Sequence, residues 1–188
     1  MKNSLMKLKE YLNERGKSKL VVIEPSSTLL GLVLRLSEAE VVMCSVGDCH
    51  IAYKLIEHGR VKTEFDVLPF EGFRDFMLKL IYTMRSNKNF IIYFINDTTE
   101  RTDLEVTLRG LVVTSWLLHR HAHERDLSIT LVGYKSFKGK LPYLDYVRPW
   151  VDTLIDFEEV RVDERRIGWK VNVCAEEEEE LEIGDETW

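Results

Sequence analysis

The chain has 188 residues, of which 45% are hydrophobic and 31% charged. That is enough for one domain with a buried core, and too apolar for a disordered chain. No apolar run reaches the ~18 residues of a membrane helix, and the charged start MKNSLMKLKEYLNERGKSK lacks an apolar signal core, which predicts a cytoplasmic protein with no membrane contact. Three cysteines, odd and few, predict reduced thiols rather than a disulfide framework. Glutamine is absent while Glu, Lys and Arg abound, a bias that leans towards a thermophile.

Charge is unevenly placed. Glu176–Trp188 holds seven Glu and one Asp with no Lys or Arg, so the rest of the chain is +2 against a total of -6. Like charges this close repel, which predicts one domain over residues 1–175 followed by a solvated, disordered acidic tail over 176–188.

In chain order, Leu5, Met6, Leu8 and Leu12 mark an amphipathic helix that stops before Gly16. LVVIE (Leu20–Glu24) reads as a buried strand, Pro25-Ser26-Ser27-Thr28 as a turn with capping residues, and LLGLVLRLSEAE as a helix. VVMCS (Val41–Ser45) is a second buried strand, and Cys49–His58 a helix closed by Gly59. Alternation at Val61, Thr63, Phe65 and Val67 predicts a half-exposed strand. Phe73, Phe76, Met77, Leu80 and Ile81 predict a helix over 71–84. FIIYFI (Phe90–Ile95) is the most apolar strand and predicts a central one; Leu104–Arg125 is a long helix and SITLVGY (Ser128–Tyr134) a further strand. A loop rich in Lys, Tyr and Pro runs to Trp150, and TLIDFEEVRV with IGWKVNV forms an antiparallel hairpin. Strands alternating with helices predict an α/β domain with a mainly parallel sheet, whose ligands sit beyond the carboxyl ends of the strands.

The first strand–turn–helix has the layout of a phosphate loop without its chemistry. Pro25 has no N–H, and Leu29 and Leu30 stand where a lysine and a magnesium-binding hydroxyl would fall. Together with FIIYFINDTT, an apolar strand ending in an acidic residue, the long helix and strand of LVVTSWLLHRHAHERDLSITLVGY and the basic hairpin, this order of parts resembles the ATPase core of the RecA superfamily, in its archaeal RadA and KaiC-like branch, over Leu20–Val173. The resemblance implies a RecA-like three-layer sandwich with a C-terminal antiparallel hairpin. It aligns either Asn96 or Asp97 with the family's acidic magnesium-associated position, and Tyr134-Lys135 with its polar sensor. With the lysine and hydroxyl gone, it implies a degenerate, non-catalytic paralogue, an accessory or regulatory protein in DNA recombination or repair that acts through protein contacts.

Other constellations carry competing readings. Cys44, Cys49 and His50 flank the turn CSVGDCH; with Asp97 they could form a small-molecule active site, against the plainer reading of buried structural cysteines. Asp97, Thr98 and Thr99 are also good helix caps. His119 and His123 share a helix face and could ligate a metal with His121 pointing away; the plainer reading is exposed imidazoles suited to a helix C-terminus. Lys135, Lys138, Lys140, Arg148, Arg165 and Arg166, interleaved with aromatics, could hold single-stranded nucleic acid, although nearby Asp and Glu dilute the charge. Leu181, Ile183 and Trp188 could anchor the acidic tail in a partner's basic groove, in a recombinase-type protein or a second copy. The sequence assigns no catalytic residue, cofactor or metal.

Overall fold

A computed structural model describes residues 2–24, 26–46, 49–59, 65–94, 101–135, 144–161 and 167–184. The elements follow in the order α1 (Lys2–Asn13), β1 (Lys17–Ile23), α2 (Ser27–Leu36), β2 (Val41–Ser45), α3 (Cys49–Glu57), β3 (Asp66–Phe70), α4 (Gly72–Ser86), β4 (Phe90–Phe94), α5 (Arg101–Arg125), β5 (Ser128–Tyr134), α6 (Leu144–Val147), β6 (Thr153–Arg161), β7 (Ile167–Cys174) and β8 (Glu178–Gly184).

The strands form one eight-stranded sheet in the order β3-β2-β4-β5-β1-β6-β7-β8. β3, β2, β4, β5, β1 and β6 all run parallel, and β7 runs antiparallel to both β6 and β8, as the alternating strand–helix pattern and the terminal hairpin predict. β1 lies between β5 and β6, and β4 is interior between β2 and β5.

Two cores cover the two faces. Leu8 and Leu12 of α1, Leu29, Leu30 and Val33 of α2 and Ala52 of α3 pack on Val21, Ile23, Val42, Ile91, Val132 and Ile155. Phe76 and Leu80 of α4 and Leu118 and Ala122 of α5 pack on Leu20, Val22, Met43, Phe90, Ile92 and Leu131. Successive strand residues alternate between these clusters, because a pleated strand sends neighbours to opposite faces.

The acidic segment expected to be a disordered tail is the last strand of this sheet. β8 pairs with β7 in a register that sets Leu181 against Val171 and Ile183 against Trp169. Leu181 and Ile183 are 4% and 3% exposed, in the core that contains Leu8 and Leu12, so they are not available as partner anchors. The Glu run avoids self-repulsion by alternating outward and finding cations: Glu179 bonds Lys7 and, at 2.9 Å, the Tyr11 hydroxyl; Glu180 pairs with Lys170 at 2.7 Å. Trp188 lies outside the described residues.

Both sheet edges are poor templates for adding a strand. β3 carries Pro69, which has no N–H to offer, and β8 presents carboxylates. The strand expected around Val61–Val67 instead begins at Asp66; residues 60–64 lie outside the described residues, and Phe65 is buried ahead of it. β1 begins three residues earlier than its apolar run, at Lys17, because buried Ser18 and Lys19 continue the pairing with β5 and β6. Lys19 is buried completely, and its ammonium reaches the Glu14 carbonyl beyond the end of α1 and the Ser128 hydroxyl at 2.8 Å.

Candidate functional sites at the two ends of the sheet

At the carboxyl edge, β1 runs into the turn where a phosphate loop would lie. Ser26 caps α2: its hydroxyl accepts the Leu29 amide at 3.4 Å and its carbonyl accepts the Leu30 amide at 3.1 Å. Leu29 and Leu30 turn into the core, so neither a cation nor a hydroxyl projects from those positions.

At the end of β2, Cys44 and Cys49 are joined in a disulfide, with both residues buried. This overturns the expectation of reduced thiols, and it removes Cys49 as a nucleophile: a disulfide sulfur has no thiolate to offer. The bond staples the βα turn, bridging Cα atoms 5.5 Å apart. His50 is exposed at the start of α3, and Asp97 lies outside the described residues. The pair Cys-x4-Cys across a strand–helix turn was the available signal; an odd cysteine count masked it. The remaining Cys174 is a half-buried free thiol.

Lys135, a candidate nucleic-acid contact, is buried and paired within the protein. Its amide donates to Ile23 at 2.8 Å, so the chain is still held by β1 at this point. Its side chain, 6% exposed, crosses the end of β1 to donate to the Phe157 carbonyl at 2.6 Å and to pair with Asp156 at 2.6 Å. It ties β5 to β6 across the strand that separates them. Arg148 is half-buried and donates to the Val151 carbonyl at 2.9 Å, closing the turn before β6. Lys138, Lys140, Arg165 and Arg166 lie outside the described residues.

The opposite, amino-terminal edge gathers a polar cluster from three distant segments. Asp152 precedes β6, Ser18 opens β1, and His119 and His123 lie one turn apart near the end of α5. The parallel pairing of β1 with β6 brings Ser18 beside Asp152, and reciprocal bonds fix them: the Ser18 amide donates to Asp152 Oδ2 at 2.8 Å, and the Asp152 amide to the Ser18 carbonyl at 2.9 Å. The Ser18 hydroxyl adds a 3.0 Å bond to Oδ2. His123 Nε2 lies 3.0 Å from Asp152 Oδ1, and His119 Nδ1 lies 3.4 Å from Oδ2. The two imidazoles meet edge to face with centroids 4.5 Å apart.

Burial works against ionisation of Asp152, but the Ser18 amide and hydroxyl, with His123 and His119, outweigh it and hold the carboxyl below its ordinary value. Ser, His and Asp are all present, yet they form no catalytic triad. Ser18 and Asp152 both address the same nitrogen, Nδ1 of His119, so the ring has no second nitrogen bridging them, and Ser18 is buried. His121 points the other way, as the helical spacing predicts. It is buried with Nε2 unpartnered, and desolvation first and Arg125 second lower its pKa, which favours the neutral ring. Asp152 was invisible as a partner in the sequence because the contact spans 29 residues and depends on the β1–β6 pairing.

The outer surface of α4 and α5 is the third feature. Leu78, Ile81 and Tyr82 on α4 and Val113 and Trp116 on α5 are exposed large apolar residues, with Tyr82 70% exposed. The helices touch through Thr114 and Met77, and an open cleft of about 390 Å³ between them is lined by Ile81, Met84, Leu117, Arg85 and Arg125.

No helix among the described residues is long and apolar enough to cross a membrane. No protein-family model matches this chain, and neither does any curated protein.

Proposed function

We propose that this is a non-catalytic RecA-like domain that works through protein–protein contacts, as an accessory or regulatory partner in DNA recombination or repair. The recombination setting rests on the sequence resemblance. Its support in the fold is the order of parts: a strand and capped turn into α2, an apolar interior strand, a long helix feeding the next strand, and a closing antiparallel pair. Leu29 and Leu30, spent on the core, support the loss of nucleotide chemistry.

The observation that carries the contact reading is the exposed apolar row on α4 and α5. Arg74, Leu78, Ile81, Tyr82 and Arg85 recur at helical spacing and are all exposed, so a greasy stripe ends in arginines. Contiguous apolar surface rimmed by charge marks a binding face. Its cationic rim fits a partner segment that offers an apolar anchor between carboxylates. The nucleic-acid reading loses Lys135 to an internal ion pair, and the enzyme reading loses Cys49 to the disulfide.

A photocrosslinking residue in place of Tyr82 tests the face in native extract. The expected product is an adduct whose partner peptide is acidic and apolar, abolished by Trp116→Glu in a chain that keeps its melting temperature. Adducts only with a second copy of this chain, or adducts that survive Trp116→Glu, would overturn the reading. A melting shift of several degrees with magnesium-ATP would overturn its non-catalytic half.

A further inference from the structure

We propose that His119, His123 and Asp152 form a zinc site at the amino-terminal edge of the sheet, clamping the end of α5 to the start of β6.

The donor set comes first. Two imidazoles and a carboxylate suit a borderline divalent ion such as zinc, whereas magnesium and calcium prefer all-oxygen shells. Geometry follows. The three donor groups bring one ligand atom each within 4.8 Å of one another. In a tetrahedral site with zinc–ligand bonds of ~2.0–2.1 Å, neighbouring ligand atoms are about 3.3 Å apart. Asp152 meets each ring with a different oxygen, Oδ1 at 3.0 Å from His123 Nε2 and Oδ2 at 3.4 Å from His119 Nδ1, so each contact is close to that edge and a small turn of the carboxylate or rings brings one oxygen to both.

The carboxylate is also held as a ligand should be. Ser18 donates its amide and hydroxyl to Oδ2, an outer shell that fixes the carboxylate plane before any ion arrives. Access is open: the imidazoles of His119 and His123 are 32% and 47% exposed, which leaves solvent room for a water as fourth ligand. A cation here also sits at the C-terminal end of α5, where the helix dipole favours positive charge.

Zinc and cobalt(II) chloride are the probes, added to the full chain stripped of metal. One zinc per chain is expected by calorimetry, with a rise in melting temperature. Cobalt is expected to give the intense visible absorption of tetrahedral coordination. His119→Ala and His123→Ala each remove one exposed ring and should weaken zinc binding by at least tenfold; the double variant should abolish binding and the melting shift. Asp152→Asn should weaken binding similarly while the Ser18 amide keeps an acceptor. Unchanged zinc binding in the double variant would overturn the proposal by assigning the ion elsewhere, for example to Cys174 or His58. So would weak pink octahedral cobalt in the wild-type chain, a result that needs no variant to fold.

Discussion

Replacing Leu181 by alanine separates a strand from a tail. In β8 this side chain is 4% exposed, opposite Val171 and in the core shared with Leu8 and Leu12. Leu→Ala at a buried site costs roughly 2–5 kcal/mol, from lost transfer energy plus a residual cavity. An edge strand can relax inward more easily than a central one, which sets the expectation at the lower end, about 2–3 kcal/mol. At roughly 2–4 °C per kcal/mol for a chain of this size, the melting temperature should fall by about 5–10 °C. The control is Glu182→Ala, one residue along, which faces solvent and should change stability by no more than about 0.5 kcal/mol. Thermal and urea unfolding followed by circular dichroism would measure both. Equal, negligible effects of the two substitutions would refute the reasoning and return residues 178–184 to solvent. Deleting the chain after Cys174 should do more than either: it removes both core residues and bares the β7 edge, so loss of soluble protein is expected.

Thiol titration in denaturant should find one reactive thiol, Cys174, before reduction and three after it; three at the outset would refute the Cys44–Cys49 bond. Burial lowers the Lys19 pKa from 10.5 to about 8. Between those values the unfolded chain holds a proton that the folded chain lacks, so this group makes stability rise with pH, by about 3 kcal/mol in all. Lys19→Met should remove that rise from urea unfolding curves taken between pH 8 and 10; an identical slope in both proteins would refute it. Lys135→Ala leaves Asp156 and the Phe157 carbonyl without their cation, and should cost about 3 kcal/mol in urea unfolding. A stable variant with weakened single-strand binding would instead restore Lys135 to the surface.

The α/β architecture was legible because it is written in local periodicity. Val41–Ser45 (VVMCS) and Ser128–Tyr134 (SITLVGY) are short runs dominated by apolar and β-branched residues, and each forms a strand over those same residues. Phe76 and Leu80, one turn apart, are the buried ridge of α4. Errors fall where a tertiary contact reverses a local cue. Five successive glutamates read as repulsion, yet the Leu181–Glu182–Ile183 alternation after them carries a strand period that β7 reads in register. The first strand reads as starting at Leu20, although Ser18, held by Asp152 and His119 on one face, and Lys19, buried beside the end of α1 on the other, belong to the sheet. Lys135 read as a loop cation because its counter-ion, Asp156, comes from the far side of β1. Of the amino-edge cluster, the His119–His123 pair follows from helix geometry, whereas Ser18 and Asp152 require the strand order.

The distribution of polar groups bears on where function can reside in this scaffold. Parallel sheets conventionally place ligands at the carboxyl ends, where loops diverge and helix N-termini point at the substrate. Among the described residues, that end has been made structural. Its first turn is capped by its own serine with leucines beneath, its second is closed by a disulfide, and the lysine after β5 is consumed by β6. The half-exposed, mutually oriented donors instead lie at the opposite end, and the exposed apolar stripe lies on the flank of α4 and α5. Among the described residues, the accessible donors and the apolar stripe thus lie on two surfaces away from the carboxyl edge, which is the arrangement the proposed contact-making role would require.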